Sequence, residues 1–400
     1  MTQTPTGLRT RALHSGINRA FGETSEALFL TASYAYDEAE TAAAIMAGET
    51  PGHVYSRFSN PTVEAFEARL SAIEGAAWCS ATATGMAAVT ASLLSQLSAG
   101  DHIVSSRALF GSCQYVIGDL CTRFGIGADF VDGTDLDAWR AAVKPNTKVL
   151  FLETPCNPGL DVIDIRAVAE IARDAGARLI VDNVFATPVL QQPLALGADL
   201  VVYSATKHMD GQGRVLGGAI LGHDPAFRTD VLFPYLRNTG PALSPFNAWV
   251  LLKSLETLAL RVEAMSRTAA AVADMLAEEA AGRLAEIRYP FREDHPQADI
   301  ARSQMAAGGS LVTIRFAGDD EPAQARAWRF MNALELFTIS NNLGDAKSLC
   351  THPRTTTHSR LTEEVRRAQN VFPGTVRLSC GLEESHDLMA DLRQALDQAG

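Results

Sequence analysis

Two short segments, RLIVDN at residues 178–183 and DLVVYSATKH at residues 199–208, carry the pattern that decides the fold. Each contains a run of apolar residues and ends in polar side chains. Short apolar runs bounded by polar residues are typical of strands that are buried on both faces of a parallel sheet. The two strand ends would bring Asp182 and Lys207 to one edge of the sheet, where open α/β folds bind their ligands.

The same pattern extends on both sides of these segments. Further apolar runs occur at residues 102–104 and 148–152, and a helical segment at 165–172 lies between two of the runs. Alternating strands and helices predict an α/β domain with a mostly parallel central sheet and helices on both faces. Beyond about residue 256 the pattern changes to a smaller α+β domain, with a long helix at 254–280.

Three units follow from this pattern. We predict an N-terminal arm at residues 1–60, a large domain at 61–255 and a small domain at 256–400. Residues up to about 60 show no regular periodicity, so the arm must dock on another surface to be ordered.

Composition excludes several classes of protein. The chain has 400 residues, 47% of them hydrophobic, and a formal net charge of −12. This charge argues against nucleic-acid binding, which needs a clustered basic surface. No apolar run is long enough for a membrane span, and the N-terminus lacks an apolar signal core, so we expect a cytoplasmic protein. The six cysteines show no zinc-ligand or CxxC spacing and are expected to be buried thiols, and no metal site is predicted.

A carboxylate and an amine at neighbouring strand ends meet a specific chemical requirement. Alone, a strand-end Asp is more often a cap or turn residue, and a lone Lys is usually solvated. Together, Asp182 and Lys207 supply what pyridoxal 5'-phosphate (PLP) needs, a carboxylate that keeps the ring nitrogen protonated and a lysine that forms a Schiff base. The sequence therefore predicts PLP as the cofactor.

The phosphate and the ring of this cofactor have candidate partners of their own. An Ala-rich helix begins at Gly85 and Met86, and its free N–H groups and positive dipole end suit a dianion. Ser204 and Thr206 add hydroxyl donors near the lysine. Phe110 follows the strand at residues 102–104 and could stack on the ring.

Eight short motifs occur in order along nearly the whole chain. They are ALHSG (12–16), YSR (55–57), NPT (60–62), ETPCNP (153–158), VDN (181–183), SATK (204–207), GDAKSL (344–349) and RLSCGLE (377–383). Together they resemble the Cys/Met-metabolism PLP-dependent enzymes, within the fold-type I transferases that are similar to aspartate aminotransferase.

The resemblance implies roles for individual residues. Lys207 would hold the cofactor and shuttle protons, and Asp182 would pair with the ring nitrogen. The cofactor-binding residues that it implies are Tyr55, Arg57, Gly85, Met86, Phe110, Asn157, Asp182, Ser204, Thr206 and Lys207. The substrate-binding residues that it implies are Tyr55, Asn157, Asn342 and Arg377, with Arg377 binding the substrate α-carboxylate through a two-pronged ionic hydrogen bond.

The resemblance also implies self-association. In this family Tyr55 and Arg57 reach the phosphate of the neighbouring subunit, so active sites form only in an oligomer. The expected assembly is a homotetramer built from two active-site dimers.

Differences from the rest of the family narrow the expected reaction. Phe110 stands where the cystathionine enzymes and methionine γ-lyases usually have Tyr, and Ser112 stands where the lyases have Cys. The segments at 208–214 and 341–347 resemble those of the sulfhydrylases of the family. We therefore expect γ-replacement on the succinyl ester of homoserine, with sulfide as the acceptor and homocysteine as the product for methionine biosynthesis.

Several alternatives stay open. Within the family they are the acetyl ester as substrate, cysteine as the acceptor in a cystathionine γ-synthase, and a methionine γ-lyase. From another class comes a non-catalytic regulator that keeps the fold, which the intact Lys207, Asp182 and Arg377 disfavour. A nucleotide-binding dehydrogenase is disfavoured because no further Gly follows Gly211-Gln212-Gly213 at the dinucleotide spacing.

Four further residues lie in or near these motifs. Arg214 is a candidate for contacting the distal carboxylate of a succinyl ester, and a surface or interface role is the alternative. His352 and His358 are expected to make structural hydrogen bonds rather than to act in catalysis, and His208 adjoins Lys207 without an assigned role.

Overall fold

The computed structural model describes residues 7–17, 19, 22–318 and 321–400. Parts of the predicted arm, residues 1–6, 18, 20 and 21, lie outside this range. The strands are β1 (Trp78–Thr82), β2 (His102–Ser106), β3 (Gly127–Val131), β4 (Thr147–Glu153), β5 (Arg178–Asp182), β6 (Leu200–Ser204), β7 (Gly218–Gly222), β8 (Leu284–Arg288), β9 (Leu311–Phe316), β10 (Thr338–Ile339), β11 (Leu349–Thr351) and β12 (Thr375–Ser379).

Helices account for most of the remaining structure. The α-helices are α1 (Leu8–His14), α2 (Ala39–Ala47), α3 (Pro61–Glu74), α4 (Gly85–Leu94), α5 (Gly111–Gln114), α6 (Cys121–Arg123), α7 (Leu136–Ala142), α8 (Ile165–Asp174), α9 (Thr187–Leu190), α10 (Phe233–Thr239), α11 (Pro245–Leu255), α12 (Leu258–Glu279), α13 (Ala298–Gln304), α14 (Glu321–Ala333), α15 (Glu363–Ala368) and α16 (Ser385–Ala399). Single turns of 3-10 helix lie at Pro193–Leu196 and Pro353–Thr355, and π-helical turns lie at Tyr115–Leu120 and Phe227–Leu232.

The central sheet has seven strands in the order β1-β7-β6-β5-β4-β2-β3. All neighbours from β6 to β3 pair in parallel, whereas β7 pairs antiparallel with both β6 and β1. The predicted α/β fold with a mostly parallel sheet is confirmed. The two antiparallel strands were not predicted, because GAILG and WCSAT are short and rich in small residues.

Both faces of the central sheet are buried, which explains the continuous apolar runs. On β5, Leu179 and Val181 pack into the core on the side of α3 and α8, and Ile180 packs into the core on the side of α4. Successive side chains of a strand point to opposite faces, so a strand covered on both sides is apolar at every position.

The second sheet has five strands in the order β10-β11-β12-β9-β8. Its core includes buried residues of α12, α14 and α16. This second sheet and its helices form a smaller α+β unit of the type that was predicted. Arg377 lies on β12, which pairs antiparallel with β9 and β11.

The long helix predicted at 254–280 is two helices. α11 ends at Leu255 and α12 begins at Leu258. The Ser254 carbonyl accepts from Arg261 Nη2 at 3.0 Å and from Thr257 N at 3.3 Å. In a continuous helix that carbonyl would accept a hydrogen bond from the N–H of residue 258. The observed contacts are therefore compatible with a break at this point.

The N-terminal arm lies against α3 and α11. Glu26 forms ion pairs with the fully buried Arg69 of α3 and, at 2.9 Å, with Lys253 of α11. Trp249 Nε1 donates to the Glu26 carbonyl at 2.9 Å. Among the described residues, no helix is both long and apolar enough to cross a membrane.

Candidate active site

A cavity of about 220 Å³ lies at the carboxyl ends of the central strands. β4 and β5 end side by side, with Glu153 opposite Asp182 in the register. The neighbouring strand β6 ends at Ser204, so the chain that follows it brings Lys207 to the same cavity. The predicted meeting of Asp182 and Lys207 at one sheet edge is therefore what the structure shows.

Asp182 is a buried carboxylate with room for a cationic partner. Its Oδ1 accepts the Val184 N–H at 3.1 Å. Burial raises the pKa of Asp182 to about 7, and the Val184 N–H partly opposes that rise. A positive group facing this carboxylate would restore its ionised form, since an opposite charge favours the charged state.

Lys207 is an amine held in a largely desolvated position. Its Nζ donates to Asn342 Oδ1 at 2.7 Å. Burial and, to a smaller extent, the nearby Arg377 charge lower the pKa of Lys207 to about 8. Both effects increase the fraction of neutral, nucleophilic amine near physiological pH.

The start of α4 lies at one end of the cavity and is suited to bind an anion. Gly85 and Met86 are the first residues of this ten-residue helix, and their N–H groups have no carbonyl partner within it. A Cβ at position 85 would lie 2.6 Å from the Ser204 Cβ, so only glycine lets the helix start this close to the end of β6. Met86, Ser204 and Thr206 line the same cavity.

Arg377 reaches the cavity from the second sheet. Its Nη1 donates to Asn157 Oδ1 at 2.8 Å, and its Nη2 donates to the Asn342 carbonyl at 3.1 Å. Its Nε is buried and has no hydrogen-bond partner among the described residues. Burial lowers the pKa of Arg377 to about 10, which still leaves the guanidinium charged at neutral pH. An anion in the cavity would satisfy the unpaired Nε.

Glu153 is a buried residue of this cavity to which the sequence analysis assigned no role. Its Oε2 accepts the Phe110 N–H at 2.8 Å, and its Oε1 accepts the Asn157 N–H at 3.0 Å. Burial and the adjacent Asp182 carboxylate raise its pKa, while the two N–H groups oppose the rise. One side chain thus fixes both the aromatic residue of the cavity and the asparagine that holds Arg377. The position of Glu153 at a strand end in ETPCNP was the available signal.

Replacing Glu153 by Gln should loosen both segments. Gln has only one acceptor oxygen, so one of the two N–H groups loses its partner and is left buried. We expect the free energy of unfolding to fall by about 1–3 kcal/mol and KM to rise as Asn157 shifts. Denaturant titration and steady-state kinetics measure these effects, with the exposed Glu170→Gln as the matched control. A variant that equals the control in both would show that Glu153 positions nothing.

A wider cavity of about 1500 Å³ opens outward from the first. Lys207, Phe110 and Thr206 line both cavities. The inner cavity holds the predicted Gly85, Met86, Phe110, Asn157, Asp182, Ser204, Thr206, Lys207 and Arg377, and Asn342 lines the outer one. The remaining pair, Tyr55 and Arg57, lines a separate surface cavity near Ser244. Their predicted role toward a neighbouring subunit stays a prediction.

The contacts of Arg214 disfavour a role in binding the distal carboxylate of a substrate. Its Nε pairs with the buried Asp210 at 3.0 Å, its N–H donates to the same carboxylate at 2.7 Å, and its Nη2 donates to Ser254 Oγ. A guanidinium already bound in this way is poorly suited to bind a substrate carboxylate.

His352 and His358 make hydrogen bonds of the structural kind that was expected, and His208, to which no role was assigned, also makes one. His208 Nε2 lies 2.8 Å from Ser310 Oγ, and His352 Nε2 lies 2.8 Å from the Pro373 carbonyl. His358 Nδ1 lies 2.8 Å from Thr357 Oγ1. Burial lowers the pKa of His358 to about 4, so it is neutral near pH 7. The six cysteines are all buried free thiols.

The residues of the inner cavity fit pyridoxal phosphate. The start of α4 suits its phosphate, Asp182 suits a protonated ring nitrogen, and Lys207 suits its aldehyde. The unpaired Arg377 Nε adds a site for a carboxylate beside the cofactor. These groups of the cavity thus each have a counterpart on the cofactor or on an amino-acid substrate.

Comparison with known sequences agrees with the fit of the cavity to pyridoxal phosphate. The profile of the Cys/Met metabolism PLP-dependent enzyme family matches residues 9–397. The O-succinylhomoserine sulfhydrylase of Mycobacterium tuberculosis is 49% identical over 396 residues, covering 99% of this chain and 96% of that protein. The L-methionine gamma-lyase of Pseudomonas putida is 40% identical over 392 residues, covering 98% of this chain and 97% of that protein.

A solved structure shares the fold. A Campylobacter jejuni protein, provisionally described as an O-acetylhomoserine (thiol)-lyase, superimposes with a TM-score of 0.92 at 32% identity, covering 98% of this chain and 100% of that chain. That structure carries N'-pyridoxyl-lysine-5'-monophosphate, a cofactor attached to a lysine.

Proposed function

Because this chain belongs to the Cys/Met metabolism PLP-dependent enzyme family, we propose that it catalyses γ-replacement on O-succinylhomoserine, in which sulfide displaces succinate and homocysteine forms. The observation that carries this proposal is the full-length similarity to the Mycobacterium tuberculosis sulfhydrylase, which is greater than that to the Pseudomonas putida lyase. The proposed place of the reaction is methionine biosynthesis in the cytoplasm.

The residues of the cavity have defined tasks in this reaction. When bound, pyridoxal phosphate supplies an aldehyde that captures the substrate amine and a ring that accepts negative charge. Arg377 would hold the substrate α-carboxylate through its free Nε and its Nη groups, with Asn157 and Asn342 orienting the guanidinium. Asp182 would stabilise the positive charge on the ring nitrogen.

Proton transfers would fall mainly to Lys207. Its Nζ would take a proton from Cα, and the loss of a second proton from Cβ would let the Cγ–O bond break and release succinate. Hydrosulfide would then form the new C–S bond at Cγ, and protons would return to Cβ and Cα. Phe110 lines the cavity beside this amine and has no hydroxyl group. It can stack on the ring but cannot exchange protons with the substrate, which leaves the lysine to do so.

The rate should depend on pH through Lys207. A lysine base works only when it is neutral, and burial lowers its pKa to about 8. We therefore expect kcat to rise with pH and to level off above about 8, whereas an ordinary lysine would titrate near about 10.4. A profile of kcat against pH measures this rise and the pH at which it levels off. An acid limb centred near 10 would contradict the assignment.

The arm suggests how subunits combine. Tyr55 is exposed and Arg57 lines a surface cavity away from Lys207 of the same chain. We propose that both complete the phosphate site of a neighbouring copy, in a homotetramer of active-site dimers. Arg57→Ala should then weaken cofactor retention without changing the fold of the chain.

Product analysis tests the proposed reaction. The purified holoenzyme is given O-succinylhomoserine with sulfide or with cysteine in parallel, and methionine is offered alone. The proposal predicts homocysteine from sulfide, little cystathionine from cysteine and little methanethiol from methionine. Efficient cystathionine formation would make the enzyme a γ-synthase, and efficient methanethiol release would make it a lyase.

A further inference from the structure

Two arginines at the outer cavity have no assigned task. Arg107 follows β2, and Arg360 lies between β11 and β12, and both line the cavity of about 1500 Å³ that also contains Lys207. Within the described part of the chain, neither side chain has a hydrogen bond, ion pair or ring contact. They are unpaired cations, Arg107 half-buried and Arg360 exposed, in a cavity whose wall also includes Lys207, and the net charge of the chain is −12.

The backbone holds Arg107 in place although its side chain is free. Its N–H donates to the Val131 carbonyl at 2.8 Å. Its own carbonyl accepts from the side chains of Gln114 and Gln369, each at 2.6 Å. Three hydrogen bonds therefore fix the backbone of this half-buried residue at the cavity wall.

The other charges of the outer cavity do not neutralise these arginines. Arg214 is occupied by Asp210. Asp119 and Glu364 also line the cavity, but no ion pair joins either of them to Arg107 or Arg360 in the described residues. The wall thus offers two free guanidinium groups, the side chains best suited to a carboxylate.

The positions of the two cavities indicate which carboxylate of the substrate each would bind. Arg377, with its unpaired Nε, belongs to the inner cavity and suits the α-carboxylate. An ester chain attached to the γ-oxygen would extend past Lys207 into the outer cavity. A succinyl ester ends in a second carboxylate there, whereas an acetyl ester ends in a methyl group.

We propose that Arg107 and Arg360 form a second anion site, which binds the distal carboxylate of a succinyl ester and selects it over the acetyl ester. This inference rests on the proposed function. Arg107 and Arg360 thus take the role of contacting the distal carboxylate, for which Arg214 was the candidate from the sequence.

The test compares both esters in three variants. Arg107→Gln and Arg360→Gln remove one charge each, and Arg123→Gln removes the charge of an exposed arginine of α6 outside the cavity. We expect kcat/KM for the succinyl ester to fall by about 10- to 100-fold in each cavity variant, as the loss of an ionic hydrogen bond predicts. The value for the acetyl ester should change by less than about 3-fold, and the control should match the wild type.

A binding measurement separates this inference from the proposed reaction. Calorimetric titration of the holoenzyme with succinate should show binding that weakens by about 10-fold or more in the cavity variants and is unchanged in Arg123→Gln. Cavity variants that keep both the ester preference and succinate affinity would overturn the inference, as would a wild type that does not distinguish the esters. If the wild type makes no homocysteine from either ester, the proposed function fails, and the succinate titration still decides whether the anion site exists.

Discussion

Lys207→Ala should abolish turnover, with a fall in kcat of at least about 10⁴-fold, and should remove the visible absorbance of a lysine-bound cofactor. The reason is that one amine serves both as the point of attachment and as the base. Its burial and its hydrogen bond to Asn342 make it suited to both tasks. Absorbance spectra and steady-state rates of the purified variant measure the two effects together.

Lys148→Ala provides the matched control for this variant. Lys148 is an exposed residue of β4, so its removal changes the charge of the chain by the same amount without touching the cavity. The control should keep full activity and absorbance. A Lys207→Ala enzyme that retained substantial turnover, or that kept the wild-type spectrum, would refute the assignment.

Asp182→Asn is expected to have the second largest effect, a fall in kcat of at least about 10²-fold. Asn keeps the shape and can still accept the Val184 N–H, but it carries no negative charge for the ring nitrogen. The cofactor should therefore remain attached to Lys207 while charge at the reacting carbon is less well stabilised. Absorbance spectra report the attachment, and rate measurements report the lost stabilisation.

Asp174→Asn serves as its control. Asp174 is the exposed last residue of α8 and lines neither cavity. It should behave like the wild type in both measurements. If Asp182→Asn had the same kcat as this control, the carboxylate would have no electrostatic role in the reaction.

The main cavity residues could be predicted because the signals for them are local. Asp182 and Lys207 each follow an apolar run, and adjacent parallel strands bring their ends together. The start of α4 is also a local signal, since glycine and an Ala-rich segment mark the helix. These patterns depend on nearest neighbours in the chain, so a single sequence contains them.

The features that were missed depend on distant contacts. The role of Glu153 depends on two backbone N–H groups, one of them 43 residues away at Phe110. The break between α11 and α12 accompanies an Arg261 side chain that takes the Ser254 carbonyl. Such contacts are set by tertiary packing, which no local pattern records.

For Arg214, the sequence contained a sign of its ion pair, but the residue was interpreted as a candidate for substrate binding. Asp210 lies four residues before it, and the two side chains form an ion pair in the structure. Arg107 and Arg360 gave no such signal, because their importance lies in the absence of partners within the described residues. That property appears only when the walls of the outer cavity are known.

The most direct test of the account is to identify the residue that holds the cofactor. Reduction of the holoenzyme with borohydride fixes the cofactor on its lysine, and mass spectrometry of the proteolytic peptides then locates it. The account predicts a single pyridoxyl group on the peptide that contains Ser204-Ala205-Thr206-Lys207. A pyridoxyl group on another lysine, or none on any peptide, would contradict it.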